Sequence, residues 1–291
     1  MKPRKRFAQH FLEPAWVDKL LKVINPTTID RVLEVGPGRG ALTAPLSRQV
    51  DHVLAVEIDR DLAAALSTRQ LPNVTVLAAD ILQLDLAALL PAWISEVGAA
   101  SGKVRVVGNL PYNISSPLLF QLLEVSRSTA LLEDAVVMLQ REVADRLVAK
   151  PCSGEYGVLA VLTALHADVR QLLALPPGAF RPVPRVHSSV VRLTFRPPQI
   201  EVRDLPLFVR MVRSMFTQRR KTLGNALKPF AVQTDVPAGQ ALAAANIDAM
   251  RRPETLQLPE FARLADAFSA RTLAHAHPGS IVVAGFTRTL Q

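Results

Sequence analysis

Apolar positions in the first two-thirds of the chain fall into short runs: Val32 to Val35 (broken by Glu34), Val53 to Val56, Val74 to Leu77, Val104 to Val107 and Ala135 to Leu139. Runs this short, bounded by turn residues, suit strands buried on both faces, as in a parallel sheet. Between them apolar residues return every third or fourth position, as in helices packed on one side. The first such helix spans Pro14 to Ile24, with Trp16, Leu20, Leu21 and Ile24 on its apolar face. Five strand–helix alternations predict right-handed crossovers and a doubly wound parallel sheet. After Cys152 the pattern changes: Val158 to His166 reads as a helix, and Val169 to Leu175 and Ser188 to Phe195 as strands. The segment between these last two, Pro176 to Arg185, is too short for a crossover helix, so they pair antiparallel. Past Pro197-Pro198 the period is helical again, with Leu207, Met211 and Met215 on one row and Phe208, Val212 and Phe216 on the next.

Chemistry collects where the strands end. Gly36-Pro37-Gly38-Arg39-Gly40 follows the first strand and leads into a helix predicted over Ala41 to Arg48. Glycines there let the backbone approach a nucleotide-type ligand. Glu57 closes the second strand about twenty residues on, the spacing at which an acid reaches ribose hydroxyls. Asp80 closes the third. The fourth runs into Asn109-Leu110-Pro111-Tyr112, before a helix starting near Ser116-Pro117. The Asn109 side-chain oxygen and the Leu110 carbonyl can both accept from an NH2 group, Pro111 stiffens the turn and Tyr112 offers a stacking face. That combination suits a flat molecule carrying an amino group.

Charge narrows the partner. The 291 residues carry a net charge of +9, which favours an anionic partner, most simply nucleic acid. Between 201 and 230, Arg203, Arg210, Arg213, Arg219, Arg220, Lys221 and Lys228 face only Glu201 and Asp204 in composition. A second basic stretch, Lys2 to Arg6, opens the chain. Cys152 is the single cysteine, so no internal disulfide forms and a reducing compartment fits; it has no metal-ligand spacing around it, and no metal is expected. No apolar stretch is long enough to span a membrane, and the expected location is the cytoplasm.

In register along most of its length, the sequence resembles the bacterial dimethyladenosine transferases that modify 16S ribosomal RNA. The resemblance rests on Arg4-Lys5-Arg6-Phe7-Ala8-Gln9-His10-Phe11-Leu12, Val35-Gly36-Pro37-Gly38, Glu57-Ile58-Asp59 with Asp80, Asn109-Leu110-Pro111-Tyr112, Phe180 to Val191, and Phe216-Thr217-Gln218-Arg219-Arg220-Lys221-Thr222-Leu223. It implies a Rossmann-like class I methyltransferase, α/β, with a seven-stranded mostly parallel sheet, an antiparallel last strand and a small all-α C-terminal domain. The implied cofactor is S-adenosylmethionine, with Gly36 and Gly38 near its methionine part, His10 and Leu12 closing over it, Glu57 on its ribose, Asp80 on its adenine and Asn109, shared with the catalytic motif, as a further cofactor contact. Asn109, Leu110, Pro111 and Tyr112 are the implied catalytic motif, with Phe180 stacking on the target base opposite Tyr112. Arg4, Lys5, Arg6, Arg219, Arg220 and Lys221 are the implied RNA contacts. The implied organisation is a methyltransferase domain with a basic arm over 1–196, a helical RNA-binding domain over 199–270 and a tail of unassigned role over 271–291. The expected protein is a monomer acting on 16S rRNA in the small subunit or its precursor. Ala8 and His10 depart from the usual Gly and Asn, and His187 stands where an acid or amide is common.

Three other readings fit part of this pattern: a large-subunit adenine dimethyltransferase of the antibiotic-resistance class, which shares the catalytic motif; a nicotinamide oxidoreductase, which could use Gly36, Gly38 and Glu57 but not Asn109 to Tyr112; and a ribosome-assembly factor with a vestigial site.

Overall fold

The apolar runs fold as the strands of one sheet, and the helical repeats cover its two faces. A computed structural model describes residues 10–98, 102–234 and 236–269. Its elements are β1 (Phe11–Leu12), α1 (Pro14–Ile24), β2 (Arg31–Val35), α2 (Thr43–Ser47), β3 (His52–Glu57), α3 (Arg60–Ser67), β4 (Val74–Ala78), α4 (Leu86–Glu96) and β5 (Val104–Asn109). There follow α5 (Ser115–Thr129), β6 (Leu132–Gln140), α6 (Arg141–Val148), α7 (Val158–His166), β7 (Ala167–Leu175), β8 (Phe180–Arg181) and β9 (Ser188–Phe195). The chain divides into two compact units at Gln199/Ile200.

The seven-stranded sheet has the order β4-β3-β2-β5-β6-β9-β7. Pairs β2–β3, β2–β5, β3–β4 and β5–β6 are parallel, while β9 runs antiparallel between β6 and β7. From β2 the chain winds outward through β3 to β4, then returns to place β5 on the other side of β2. That reversal opens a crevice at the carboxyl ends of β2 and β5, where open α/β sheets bind ligands.

Period-two alternation sorts the strand residues between two cores. Leu33, Val35, Leu54, Val56 and Val106 pack under α4 and α5 with Leu90, Trp93, Leu118 and Leu122. Val32, Val53, Ala55 and Val107 pack on the other face, under α1, with Leu20, Leu21, Ile24 and Leu46. Near the start of β5 the buried Arg105 ties these layers together. Its guanidinium donates to both carboxylate oxygens of Asp134 (2.8 Å each), to Asp30 (2.7 Å) and to the carbonyls of Ile24 (2.8 Å) and Asn25 (3.1 Å).

Boundaries differ most from the sequence pattern at two elements. The helix after the glycines is only Thr43–Ser47, because Gly38 to Leu42 remain in turns. Strand β6 begins at Leu132, ahead of the expected Ala135, since its first residues still pair with Val104 of β5.

In the second unit, α8 (Leu205–Thr217) is capped by Asp204, whose carboxylate accepts from the Leu207 N–H at 2.8 Å. Both of its expected apolar rows are buried except Phe216, which is half-buried against Phe261. Short helices α9 (Leu223–Ala226), α10 (Lys228–Ala231) and α11 (Ala238–Ala244) and the closing α12 (Leu258–Ser269) complete this unit, with Phe230 edge-on to Phe268 at 5.1 Å. Among the described residues no helix is long and apolar enough to cross a membrane.

Candidate active site

A cavity of about 300 Å³ lies at the crevice between β2 and β5, large enough for a nucleotide-sized ligand. Its walls come from every strand end that the sequence marked: Gly36 and Gly38 after β2, Glu57 on β3, Asp80 after β4, and Asn109, Leu110, Pro111 and Tyr112 from β5 onward. His10, Phe11 and Leu12 close it from the N-terminal side.

The glycine turn is shaped for close approach. Gly36 and Gly38 have φ of +67° and +58°, a region side chains disfavour. A Cβ on Gly38 would also sit 3.0 Å from the Phe11 ring, so the turn and the N-terminal strand would have to give way to accommodate it. Glu57 fixes the turn from below, accepting from the Gly38 N–H and the Asp59 N–H, each at 2.9 Å. Burial pushes its carboxyl upward, against those same hydrogen bonds from Asp59 and Gly38. A carboxylate offers about four acceptor positions, more than these backbone N–H groups fill, which leaves capacity for hydroxyl donors. Asp80 accepts from the Leu82 N–H at 3.0 Å through one oxygen, capping the turn Ile81–Gln83, and its other oxygen is left for the cavity. Asp59, by contrast, caps α3 through the Asp61 N–H and does not line the cavity.

The Asn109–Tyr112 turn is held just as closely. Leu110 N–H donates to the Met138 carbonyl at 3.2 Å, and the Pro111 carbonyl accepts from Ile114 N–H (3.1 Å) and the Ser115 hydroxyl (3.2 Å). Asn109 Nδ2 donates to the His10 carbonyl at 2.6 Å. The reverse amide orientation would set oxygen against oxygen, so Oδ1 is the end presented to the cavity. Tyr112 is half-buried, with its hydroxyl 3.3 Å from the Ser188 hydroxyl.

One sequence expectation needs correction, and the structure adds detail to the others. Phe180 does not face the cavity: it is 1% exposed and packed in the apolar core under α1. The cause is the antiparallel pair β1–β8, which sets Phe180 opposite Leu12 and, by strand alternation, turns Phe180 inward and Arg181 outward. His10 lines the cavity, but its Nδ1 lies 2.7 Å from the Pro182 carbonyl, so only Nε2 remains for a cofactor carboxylate. Arg219, Arg220 and Lys221 sit at the turn after α8; Arg220 and Lys221 are exposed, whereas Arg219 leans on Glu254 at 3.8 Å. Arg4, Lys5, Arg6 and Ala8, and the tail 271–291, lie outside the described residues.

Two further cavity residues, given no role in the sequence reading, shape the site. Ile58, 43% exposed between two acids, gives an apolar wall beside Glu57. Glu34 is the other: an acid inside an apolar strand, two residues before the glycine turn, which was the available signal. It is 2% exposed, and burial pushes its carboxyl up to about 7, with the neighbouring Glu57 charge adding to the rise and the Thr43 hydroxyl opposing it. A buried acid whose folded pKa is raised stabilises the fold fully below its unfolded value of 4.5 and loses that contribution as pH climbs through about 7. The difference between the two values corresponds to about 3 kcal/mol. Glu34→Gln should therefore gain stability relative to wild type between pH 4.5 and 8, by up to that amount, in thermal or denaturant unfolding of the ligand-free protein. An offset that does not change with pH would show that Glu34 is not the titrating group.

The model of the family described as ribosomal RNA adenine dimethylase matches residues 1–264. The ribosomal RNA small subunit methyltransferase A of Hahella chejuensis is 42% identical over 267 residues, covering 90% of this chain and 92% of that protein. The protein of the same description from Acinetobacter baylyi is 43% identical over 270 residues, covering 91% and 92%. Among solved structures, a dimethyladenosine transferase from Plasmodium falciparum superposes with a TM-score of 0.71 at 23% identity, covering 90% of this chain and 98% of that one. The 23S rRNA methyltransferase ErmE superposes with a TM-score of 0.62 at 24% identity, covering 89% and 99%. At these identities the two structures speak to the fold.

Proposed function

The chain belongs to the ribosomal RNA adenine dimethylase family, whose members are S-adenosylmethionine-dependent methyltransferases, and from that premise we propose the following reaction. It transfers methyl groups to N6 of two adjacent adenosines in the hairpin near the 3′ end of 16S rRNA, giving N6-dimethyladenosines during small-subunit biogenesis. The observation that carries this reading is the Asn109 amide, tied through Nδ2 to the His10 carbonyl so that Oδ1 faces the cavity that Leu110 also lines. That oxygen, with the Leu110 carbonyl next along the chain as a second acceptor, would match an exocyclic NH2.

The cavity fits S-adenosylmethionine by its chemistry: a glycine turn that a Cβ would fill, a buried carboxylate with free acceptor positions, a second carboxylate on the next strand and an apolar wall at Ile58. When bound, that cofactor supplies an electrophilic methyl group on a sulfonium. The protein's task is positioning. An adenine N6 delocalises its lone pair into the ring and is a poor nucleophile. Oδ1 of Asn109 and the Leu110 carbonyl would hold both N–H bonds and direct the lone pair out of the ring plane; such near-attack positioning contributes up to about 7–11 kcal/mol. The proton lost leaves a nitrogen that alkylation has already made acidic, so no side chain need be a strong base. After one transfer an N–H remains to be held, which allows the second. The base must leave its stack to reach the site, and Tyr112 supplies a face for it.

RNA affinity rests on phosphate contacts in this reading, from Arg4, Lys5 and Arg6 and from Arg219, Arg220 and Lys221. The enzyme acts as a monomer in the cytoplasm on the small subunit or its precursor. Replacing Arg219, Arg220 and Lys221 together with alanine should weaken RNA binding and flatten its salt dependence, by roughly 0.7–0.9 in log–log slope for each phosphate that the variant leaves unneutralised. Arg219 contributes least, being engaged by Glu254. An unchanged slope would make this turn an ordinary solvated face.

The nicotinamide alternative is set aside by family membership. Incubation with methyl-labelled S-adenosylmethionine and purified, unmethylated small or large subunits tests the proposed substrate. Label should enter small-subunit RNA; entry into large-subunit RNA alone would overturn the assignment.

A further inference from the structure

The turn that follows Asp80 has little of its own to hold it. Ile81–Gln83 is a three-residue 3₁₀ turn, closed by the Gln83 N–H on the Asp80 carbonyl at 3.0 Å and by a longer contact, 3.4 Å, from the Leu84 N–H to the Ile81 carbonyl. Such turns have poorer hydrogen-bond geometry than α-helices, so their shape depends on what packs against them. Here the support comes from α5. Gln121 Nε2 donates to the carbonyls of Leu84 (2.9 Å) and Ile81 (3.3 Å). The reverse amide orientation would set oxygen against both carbonyls, so Nε2 is the end that faces the turn. Ala79, Asp80 and Ile81 line the cavity, whereas Gln121 does not. Around it on α5, Leu118, Leu119, Leu122 and Leu123 are buried in the apolar core, and Gln121 Oε1 is buried without a partner. Burying an unpaired acceptor is unfavourable, a cost that leucine here would avoid. What the amide adds is its pair of N–H bonds to the turn.

We propose that Gln121 is a positioning residue for the cofactor: it holds the Ile81–Gln83 turn so that the free Asp80 oxygen meets the adenine amino group, and it thereby sets selectivity for adenine in the cofactor. This rests on the S-adenosylmethionine site, with Asp80 on the adenine, as read above. Asp80 is tied to the turn twice. One carboxylate oxygen accepts from the Leu82 N–H at 3.0 Å, and its backbone carbonyl accepts from the Gln83 N–H. The aim of the other oxygen therefore follows the turn. A base with a carbonyl in place of the amino group sets oxygen against that carboxylate, and a turn held from behind cannot retreat from it. Helix α5 is a firm base for such a hold. At its start the Ser115 hydroxyl donates to the Pro111 carbonyl at 3.2 Å, so one helix supports both the Asn109–Tyr112 turn and the turn beside the adenine.

Calorimetry on the full chain with S-adenosylhomocysteine and its hypoxanthine counterpart, S-inosylhomocysteine, tests this on Gln121→Met, which keeps the side chain's length and deletes both N–H bonds. Wild type should prefer the adenine ligand by about 10- to 100-fold, as one hydrogen bond to a carboxylate provides. Gln121→Met should cut that preference by about 3- to 10-fold, the size of coupling found within one hydrogen-bond network. The cut should vanish in an Asp80→Ala background, because a residue that acts through Asp80 then has nothing to aim. Gln121→Glu has the same shape but sets oxygen against both carbonyls, and it should lose preference likewise; thermal melts identify the folded variants. In methylation assays KM for S-adenosylmethionine should rise by more than kcat falls, since the lost contact serves ground state and transition state alike. Wild-type preference in both folded Gln121 variants would overturn the inference. So would an equal cut with and without the Asp80 carboxylate, which would make Gln121 a packing tie. Wild-type preference in Asp80→Ala itself, or a wild-type chain that binds neither ligand, would instead bring down the cofactor reading beneath it.

Discussion

Asn109→Ala slows methyl transfer to small subunits by about 100- to 1,000-fold while leaving subunit binding nearly unchanged. Removing one preorganised hydrogen-bond partner of a reacting centre costs a rate factor of that order. Two effects combine in this residue. Alanine deletes the Oδ1 acceptor, so the amino nitrogen loses half of its positioning, and it frees the His10 carbonyl that Nδ2 now holds at 2.6 Å. Neither effect touches the phosphate contacts that supply most of the affinity, so the loss appears in kcat and not in the binding constant. Single-turnover rates at saturating enzyme, with filter binding of the same subunits, separate the two quantities. Full activity in this variant would remove Asn109 from the mechanism.

Glu57→Ala weakens cofactor binding by at least about a hundredfold. Each hydrogen bond to a charged group contributes about 1.5–3 kcal/mol, and two ribose hydroxyls would use the acceptor positions that the Gly38 and Asp59 N–H groups leave open. The side chain is 4% exposed, so solvent does little to screen the loss. Alanine also strands those two N–H groups and loosens the glycine turn that they hold. Calorimetry with S-adenosylhomocysteine measures the affinity, and a thermal melt of the ligand-free variant reports whether the turn alone has changed. Wild-type affinity would take Glu57 out of the cofactor site.

Much of this site was legible because each of its parts ends a strand. Gly36, Glu57, Asp80 and Asn109 all follow apolar runs in the sequence, and a parallel sheet carries the ends of such runs to one edge. Long-range pairing was not legible. Phe180 follows a Pro-rich segment and the resemblance sets it against the target base, but the β1–β8 ladder joins residues some 170 positions apart and turns it inward. Local pattern carries no information about such a pair. The same ladder brings His10 onto Tyr112, a contact no spacing rule predicts. Glu34 escaped notice for the opposite reason: it sits inside a run whose apolar neighbours dominate the pattern, and only the fold shows that its side chain is buried at the cavity floor beside Glu57.

The central claim is the chemistry at adenine N6, and nucleoside mass spectrometry of small-subunit RNA after reaction with the wild-type chain tests it most directly. The expected end product is N6-dimethyladenosine, with N6-methyladenosine rising and falling before it, since the acceptors proposed to hold NH2 would also hold the remaining N–H. A methyl group on a ring nitrogen, on carbon, on ribose or on a base other than adenine would contradict that claim.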